Sequence, residues 1–185
     1  MRAFVAIVID SEIKASLIDL VRRLRNRGEG VGWVRPEAVH LTLKFLGEVS
    51  DDQARAAGRG LEEIASRHEI FPLSVKGTGV FPPGASRPRI LWAGIDPSPS
   101  LMGFQEDVES TLEKAGFPRE AKAFHPHLTL GRVKKPVGLG RILELFKEHR
   151  DSEFGVMTAD TVTLFESRLH PSGAQYAVLR EVRLP

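Results

Sequence analysis

The strongest constraint on the fold is an internal near-repeat, offset by about 87 residues, in this chain of 185 residues. Asp10 and Asp96 both follow a short apolar run and lie 86 residues apart. His40 and His127 lie 87 residues apart, and each begins the sequence His-Leu-Thr-Leu. Two separate landmarks thus share nearly one period. We therefore expect an internal duplication in which residues 1–185 form a single domain of two similar lobes.

Hydrophobic periodicity assigns similar elements to the two halves of the chain. In the first half it predicts helices over 13–24 and 51–67 and strands over 4–9, 40–46, 71–80 and 89–95. In the second half it predicts helices over 100–115 and 138–149 and strands over 127–132, 154–158, 161–168 and 175–183. Trp33 is placed in a loop before the strand that begins at His40.

The order of these elements favours an α+β fold. No Gly-rich phosphate loop of the GxGxxG or Walker type occurs, which argues against a nucleotide-binding parallel sheet. Two lobes related by a pseudo-twofold axis would bury their helices against one side of each sheet. We therefore predict a bilobal fold in which antiparallel sheets face a central cleft and the helices lie outside.

Composition removes several classes of function. The sequence has no cysteine, which excludes disulfides, thiol nucleophiles and cysteine-ligated zinc. The net charge of +2 is too small to predict nucleic-acid binding by itself. Neither a membrane-length apolar run nor a signal peptide is recognisable, so we expect a cytoplasmic protein without membrane contact. Without a coiled-coil seam, a monomer is the expected state.

The repeated motif places polar side chains on one face of each strand. Side chains alternate along a strand, so His40, Thr42 and Lys44 should share one face, with Phe45 and the leucines in the core. The same alternation puts His127 and Thr129 on one face. Two His-x-Thr pairs should therefore line one surface.

Two imidazoles facing each other suit acid–base catalysis. An unperturbed imidazole has a pKa near 6.5, so one ring can accept a proton while the other donates one near neutral pH. A hydroxyl two residues from each ring can donate a hydrogen bond to a charged phosphate oxygen. The arrangement favours a phosphodiester as substrate and requires no metal.

These residues resemble a known family. The segments from His40 to Gly47 and from His125 to Arg132 are similar to the paired HxTx motifs of the two-histidine phosphoesterases. The resemblance is specifically to the RNA 2′,3′-cyclic phosphodiesterases, also called 2′-5′ RNA ligases. It extends over nearly the whole chain, from the N-terminal Arg-Ala-Phe-Val-Ala to Leu-Phe-Glu-Ser at 164–167.

The resemblance implies a set of site residues and an activity. It implies metal-independent hydrolysis of RNA 2′,3′-cyclic phosphate ends to a 2′-phosphate, without a cofactor, and reversible 2′-5′ ligation by the same groups. His40 and His127 would be catalytic. We take His40 as the acid and His127 as the base, and the pseudo-symmetry of the two motifs leaves the opposite assignment open. Thr42, Thr129 and Arg132 would bind the phosphate. Strand alternation places Arg132 on the opposite face unless a bulge forms at the preceding glycine.

The partners implied are RNA 3′ ends with a cyclic phosphate, such as those of tRNA fragments, and whether a nucleotide also occupies the cleft stays open. Lys134 and Lys135 suit either an RNA backbone or a solvated surface. Tyr176 is predicted on a strand that faces either the core or the cleft, and nothing in the spacing requires Arg168 in the site. The resemblance also allows Phe45 to stack a base, although strand alternation favours the core for it.

Two other functions stay open from the residues alone. His125 and His127 with His40 could form a three-histidine zinc site of a hydrolase. Alternatively, the cleft could recognise RNA ends without turnover. Activity that survives a strong chelator would argue against the zinc hydrolase. Turnover of a cyclic phosphate would argue against a module that only binds RNA ends.

Overall fold

The computed structural model describes residues 1–171 and 173–185. Within these residues the chain forms four α-helices: α1 (Ser11–Arg25), α2 (Asp51–Ala65), α3 (Pro99–Lys114) and α4 (Leu139–Glu148). The same residues form nine strands: β1 (Arg2–Val8), β2 (Val31–Trp33), β3 (His40–Glu48), β4 (Phe71–Phe81), β5 (Ile90–Ile95), β6 (His127–Val133), β7 (Glu153–Ala159), β8 (Thr161–Arg168) and β9 (Gln175–Arg183). No helix in the described ranges is long and apolar enough to cross a membrane.

The strands form two antiparallel sheets. One sheet has the order β3-β1-β8-β9 and the other has the order β2-β6-β5-β4-β7. The predicted α+β class is confirmed. The predicted loop around Trp33 is wrong, because residues 31–33 pair with β6 as a short edge strand. Three residues are too few for the alternation that identifies a strand in sequence.

The two halves of the chain exchange a strand. β4, from the first half, pairs with β5, whereas β8, from the second half, pairs with β1. The orders β3-β1-β8 and β6-β5-β4 therefore correspond to each other. This correspondence is what a duplication with an offset near 87 residues would produce, and the duplication itself stays a prediction.

Local sequence explains where the helices begin and which side they bury. Ser50 and Gln53 form a reciprocal capping box at the start of α2, with hydrogen bonds of 3.2 and 2.9 Å. α1 buries the apolar side chains that recur every three or four residues, namely Ile13, Leu17, Leu20, Val21 and Leu24. These residues join the strand leucines and valines in one core.

A β-bulge in β3 reverses the alternation of side chains. Thr42 pairs with Ala6 and Lys44 pairs with Val5, so Leu43 is an extra residue. Lys44 consequently turns inward and is only 4 % exposed, so its predicted place on the face of His40 and Thr42 is wrong. Phe45 turns outward and is 70 % exposed, so its predicted place in the core is wrong.

β6 has a bulge at the matching position. Thr129 pairs with Trp92 and Gly131 pairs with Leu91, which leaves Leu130 as the extra residue. The bulge returns Arg132 to the face of His127 and Thr129, which strand alternation alone would not allow. Phe45 and Arg132 are thus the equivalent residues of the two motifs, each five residues after the histidine.

Candidate active site

His40, the first residue of β3, is held between aromatic rings. Its imidazole stacks on Phe4 at a centroid distance of 4.8 Å and meets Tyr176 edge-on at 5.1 Å. Burial lowers the pKa of His40 to about 4, a hydrogen bond with the Ala38 backbone opposes this shift, and the charge of Lys14 adds to it. The imidazole is therefore neutral in the free protein at neutral pH.

His127, the first residue of β6, has a similar environment in the other sheet. Its ring meets Phe81 edge-on at a centroid distance of 5.0 Å and lies 6.3 Å from Trp92. Nδ1 donates a hydrogen bond of 2.6 Å to the carbonyl oxygen of His125. Burial is the main cause that lowers the pKa of His127, with the charges of His125 and Arg132 adding to the shift and the carbonyl opposing it.

His127 is oriented by a hydrogen bond from Nδ1 to the backbone carbonyl oxygen two residues earlier, at His125. The backbone at Ala38, two residues before His40, likewise opposes the lowering of the pKa of His40. A carbonyl can only accept, so the Nδ1 atom of a neutral His127 carries the proton and its Nε2 atom keeps a lone pair. A neutral imidazole fixed in this tautomer can accept a proton from a substrate or a water at Nε2.

The hydroxyl groups lie beside the histidines on what we call the site face of each sheet. Thr42 and Thr129 are half-buried and follow His40 and His127 by two residues, before either bulge. In the adjacent strands Thr42 pairs with Ala6 and Thr129 pairs with Trp92. Each pair therefore presents an imidazole and a hydroxyl on the same side.

Arg132 links the two sheets electrostatically. Its charge lowers the pKa of His127 in its own strand and opposes the burial that raises the pKa of Tyr176 in β9. β3 and β6 are also in contact. Arg132 is exposed, and it forms no ion pair with any residue in 1–171 or 173–185. An unpaired guanidinium between the two site faces is suited to an anion.

Two residues of this region were not predicted as site residues from the sequence, because alternation favoured the core for Phe45 and left Tyr176 facing either the core or the cleft. Tyr176 contacts His40 because β9 pairs with β8, with Tyr176 opposite Ser167. Phe45 reaches the site face through the bulge and lies 6.2 Å from Phe4. Long-range strand pairing and a bulge leave no local periodic signal. The equivalent positions of Phe45 and Arg132 in the two motifs could have suggested Phe45, whereas no local signal indicates Tyr176.

Two other histidines and the arginine considered as a site residue bond to side chains outside the two motifs. The His68 ring donates to Asp107 at 3.0 Å, and the His149 ring bonds Ser152 at 2.9 Å. Arg168 pairs with Glu166 at 2.8 Å. Across the described part of the chain, no group of three or more His, Asp or Glu side chains is arranged to hold a metal ion.

Two antiparallel sheets that each carry a His-x-Thr strand define a phosphoesterase of the two-histidine class. The family model described as LigT like Phosphoesterase matches residues 7–92 and 95–176. The chain therefore belongs to the LigT-like phosphoesterase family.

Individual relatives extend over nearly the whole chain. A Methanothermobacter thermautotrophicus protein named RNA 2′,3′-cyclic phosphodiesterase is 32 % identical over 184 residues, which cover 100 % of this chain and 99 % of the relative. A protein of the same name from Archaeoglobus fulgidus is 34 % identical, with coverage of 97 % and 98 %.

Solved structures agree with this fold. A crystal structure of a Thermus thermophilus protein has a TM-score of 0.85 at 28 % identity and covers 100 % of this chain and 98 % of its own. The crystal structure of Escherichia coli LigT complexed with 3′-AMP has a TM-score of 0.73 at 25 % identity, with coverage of 99 % and 97 %.

Proposed function

We propose that this protein hydrolyses the 2′,3′-cyclic phosphate at RNA ends to a terminal 2′-phosphate by two-histidine acid–base catalysis without a metal. The observation that carries the proposal is the matched pair of imidazoles, each with its pKa lowered by burial, at the start of equivalent strands of the two sheets. The names of the full-length relatives support the substrate.

In the proposed reaction a water attacks phosphorus opposite the O3′ atom. His127 takes a proton from the water through Nε2, a P–O bond forms, and the P–O3′ bond breaks. His40 donates a proton to the departing O3′. The phosphate stays on O2′ with a free 3′-hydroxyl, and the two histidines have exchanged protonation states.

Binding of the substrate is needed to charge one histidine. Burial lowers the pKa of both rings in the free protein, so neither is protonated at neutral pH. A cyclic phosphate carries one negative charge, which favours an imidazolium beside it and raises the pKa of that ring. Thr42 and Thr129 would donate to the two non-bridging oxygens, and Arg132 would share their charge.

The same groups can also join two RNA ends. A 5′-hydroxyl would take the place of water, lose its proton to one histidine and attack the phosphorus. Breaking the P–O3′ bond would then leave a 2′-5′ linkage and a 3′-hydroxyl. Because water is abundant, hydrolysis is the main activity we propose. The complex of Escherichia coli LigT with 3′-AMP supports a nucleotide in the cleft here.

The test is incubation of an RNA oligomer ending in a 2′,3′-cyclic phosphate with the protein and excess EDTA. We expect conversion to the 2′-phosphate by the wild type and loss of at least about 100-fold in kcat for His40→Ala and His127→Ala. His149→Ala, outside both motifs, is the matched control and should keep its activity. Loss of activity on adding EDTA would favour a zinc hydrolase, and binding without product would favour a recognition module.

A further inference from the structure

Lys134 continues the site face of β6 beyond Arg132. Its backbone N–H donates to the carbonyl oxygen of Gly30 at 2.8 Å, so the pairing of β6 with the β2 segment extends through this residue. Lys134 follows Arg132 by two residues, which places both on one face, about 6.6 Å apart along the strand. Lys134 therefore lies farther along the strand from His127 and Thr129 than Arg132 does.

The side chain of Lys134 is held beside Arg132. A Cβ atom added to Gly32 would lie 2.6 Å from Cε of Lys134, so the lysine chain crosses this glycine. Gly32 is the residue that pairs directly with Arg132. A larger residue at position 32 would displace the ammonium group. The close packing thus depends on the glycine.

Neither cation is neutralised by the protein. Among residues 1–171 and 173–185, Arg132 and Lys134 form no ion pair. Like charges on neighbouring strand positions destabilise a sheet. Two such cations side by side at the edge of a proposed phosphate site indicate an extended anionic ligand.

We propose that Lys134 binds the phosphodiester that joins the last two nucleotides of the RNA, so that the enzyme prefers an oligonucleotide end to a cyclic mononucleotide. This inference rests on the proposed function, because Arg132 must hold the cyclic phosphate. The second phosphate would then lie one step outward along β6. Lys134 sets substrate length and takes no part in proton transfer.

The experiment measures kcat/KM for a 2′,3′-cyclic mononucleotide and for a dinucleotide with the same cyclic end. The wild type should prefer the dinucleotide. Lys134→Gln should lower kcat/KM for the dinucleotide about five- to tenfold and leave the mononucleotide unchanged. For the dinucleotide alone, the slope of log kcat/KM against log salt should fall by about 0.7.

Three variants make the test specific. Lys135→Gln, whose backbone bonds the same Gly30 carbonyl at 3.0 Å, is the matched control and should retain the preference. Gly32→Ala should reproduce the selective loss by displacing the lysine chain, and Lys134→Arg should restore binding.

Equal losses on both substrates for Lys134→Gln, or a selective loss of the same size for Lys135→Gln, would overturn the assignment to Lys134. Absence of turnover of either substrate by the wild type would instead reject the proposed function. The two failures are therefore distinguishable.

Discussion

The phenol ring of Tyr176 stands edge-on to the imidazole of His40, with 5.1 Å between the ring centroids and 86° between the planes. Phe4 stacks on the same imidazole at 4.8 Å and meets Tyr176 at 5.0 Å. Two rings from two other strands thus fix the plane of His40. Burial raises the pKa of Tyr176, so its hydroxyl keeps its proton and can donate a hydrogen bond.

Two substitutions of Tyr176 should distinguish the contribution of its ring to activity from that of its hydroxyl. Tyr176→Phe keeps the ring contact, and we expect kcat to fall no more than about threefold, whereas Tyr176→Ala frees the imidazole and should cost about 10- to 100-fold. Titration of the His40 ring by NMR should show its pKa rising toward 6.5 only in Tyr176→Ala, because burial is reduced. Equal losses of kcat in the two variants would instead assign a direct role to the hydroxyl.

Phe45 should bind a nucleobase without supporting the fold. Its side chain is 70 % exposed on the site face, so Phe45→Ala should change the free energy of unfolding by less than about 0.5 kcal/mol. Loss of a stacked base should raise KM for a cyclic nucleotide by about 5- to 100-fold. Leu169→Ala, at another exposed apolar residue, is the control. An unchanged KM in Phe45→Ala would exclude stacking.

A buried ion pair lies beside the bulge that exposes Phe45. Lys44 Nζ lies 2.5 Å from Glu109 Oε2 and donates to the carbonyl oxygen of Pro118 at 2.7 Å. Lys44→Met leaves a buried carboxylate without its cation and should lower the free energy of unfolding by about 3–5 kcal/mol in urea denaturation. Removing both charges, with Glu109→Gln added, should recover part of that loss.

An exposed ion pair is the control for Lys44. Arg119 and Glu106 lie 2.6 Å apart near the surface, so Arg119→Ala should cost no more than about 1 kcal/mol. If Lys44→Met is equally mild, the buried pair does not stabilise the fold.

The bulges explain how far the sequence alone could predict the site. The two motifs and their leucines follow strict alternation as far as Leu43 and Leu130, and there the predicted faces of His40 and His127 agree with the structure. Beyond these points one extra residue reverses the faces, which moved Phe45 out of the core. The partner that draws Lys44 inward is Glu109, 65 residues away. No local pattern encodes such a contact.

The pH dependence should reflect the lowered pKa of both histidines. The proposed mechanism needs one protonated and one neutral ring, and in the free enzyme this state is most populated between the two pKa values of the pair. Burial lowers the pKa of His40 to about 4 and that of His127 below its usual range. The optimum of kcat/KM should therefore lie below pH 6.5.

The profile of kcat should have its optimum at higher pH than that of kcat/KM. Bound phosphate favours the imidazolium, which raises the pKa in the complex. Both profiles can be measured with a cyclic mononucleotide. An optimum of kcat/KM above pH 6.5 would mean that burial does not control the protonation of these rings.

The separate roles of His40 and His127 should be visible with a substrate that needs no acid. A cyclic phosphate with sulfur in place of O3′ releases a thiolate, which leaves without protonation because its pKa is low. With His40 as acid and His127 as base, His40→Ala should cleave this substrate within about tenfold of the wild-type rate. His127→Ala should stay at least about 100-fold slower, since the water still requires a base. The opposite pattern would exchange the two roles, and equal losses on the sulfur and oxygen substrates would mean that neither ring protonates the leaving group.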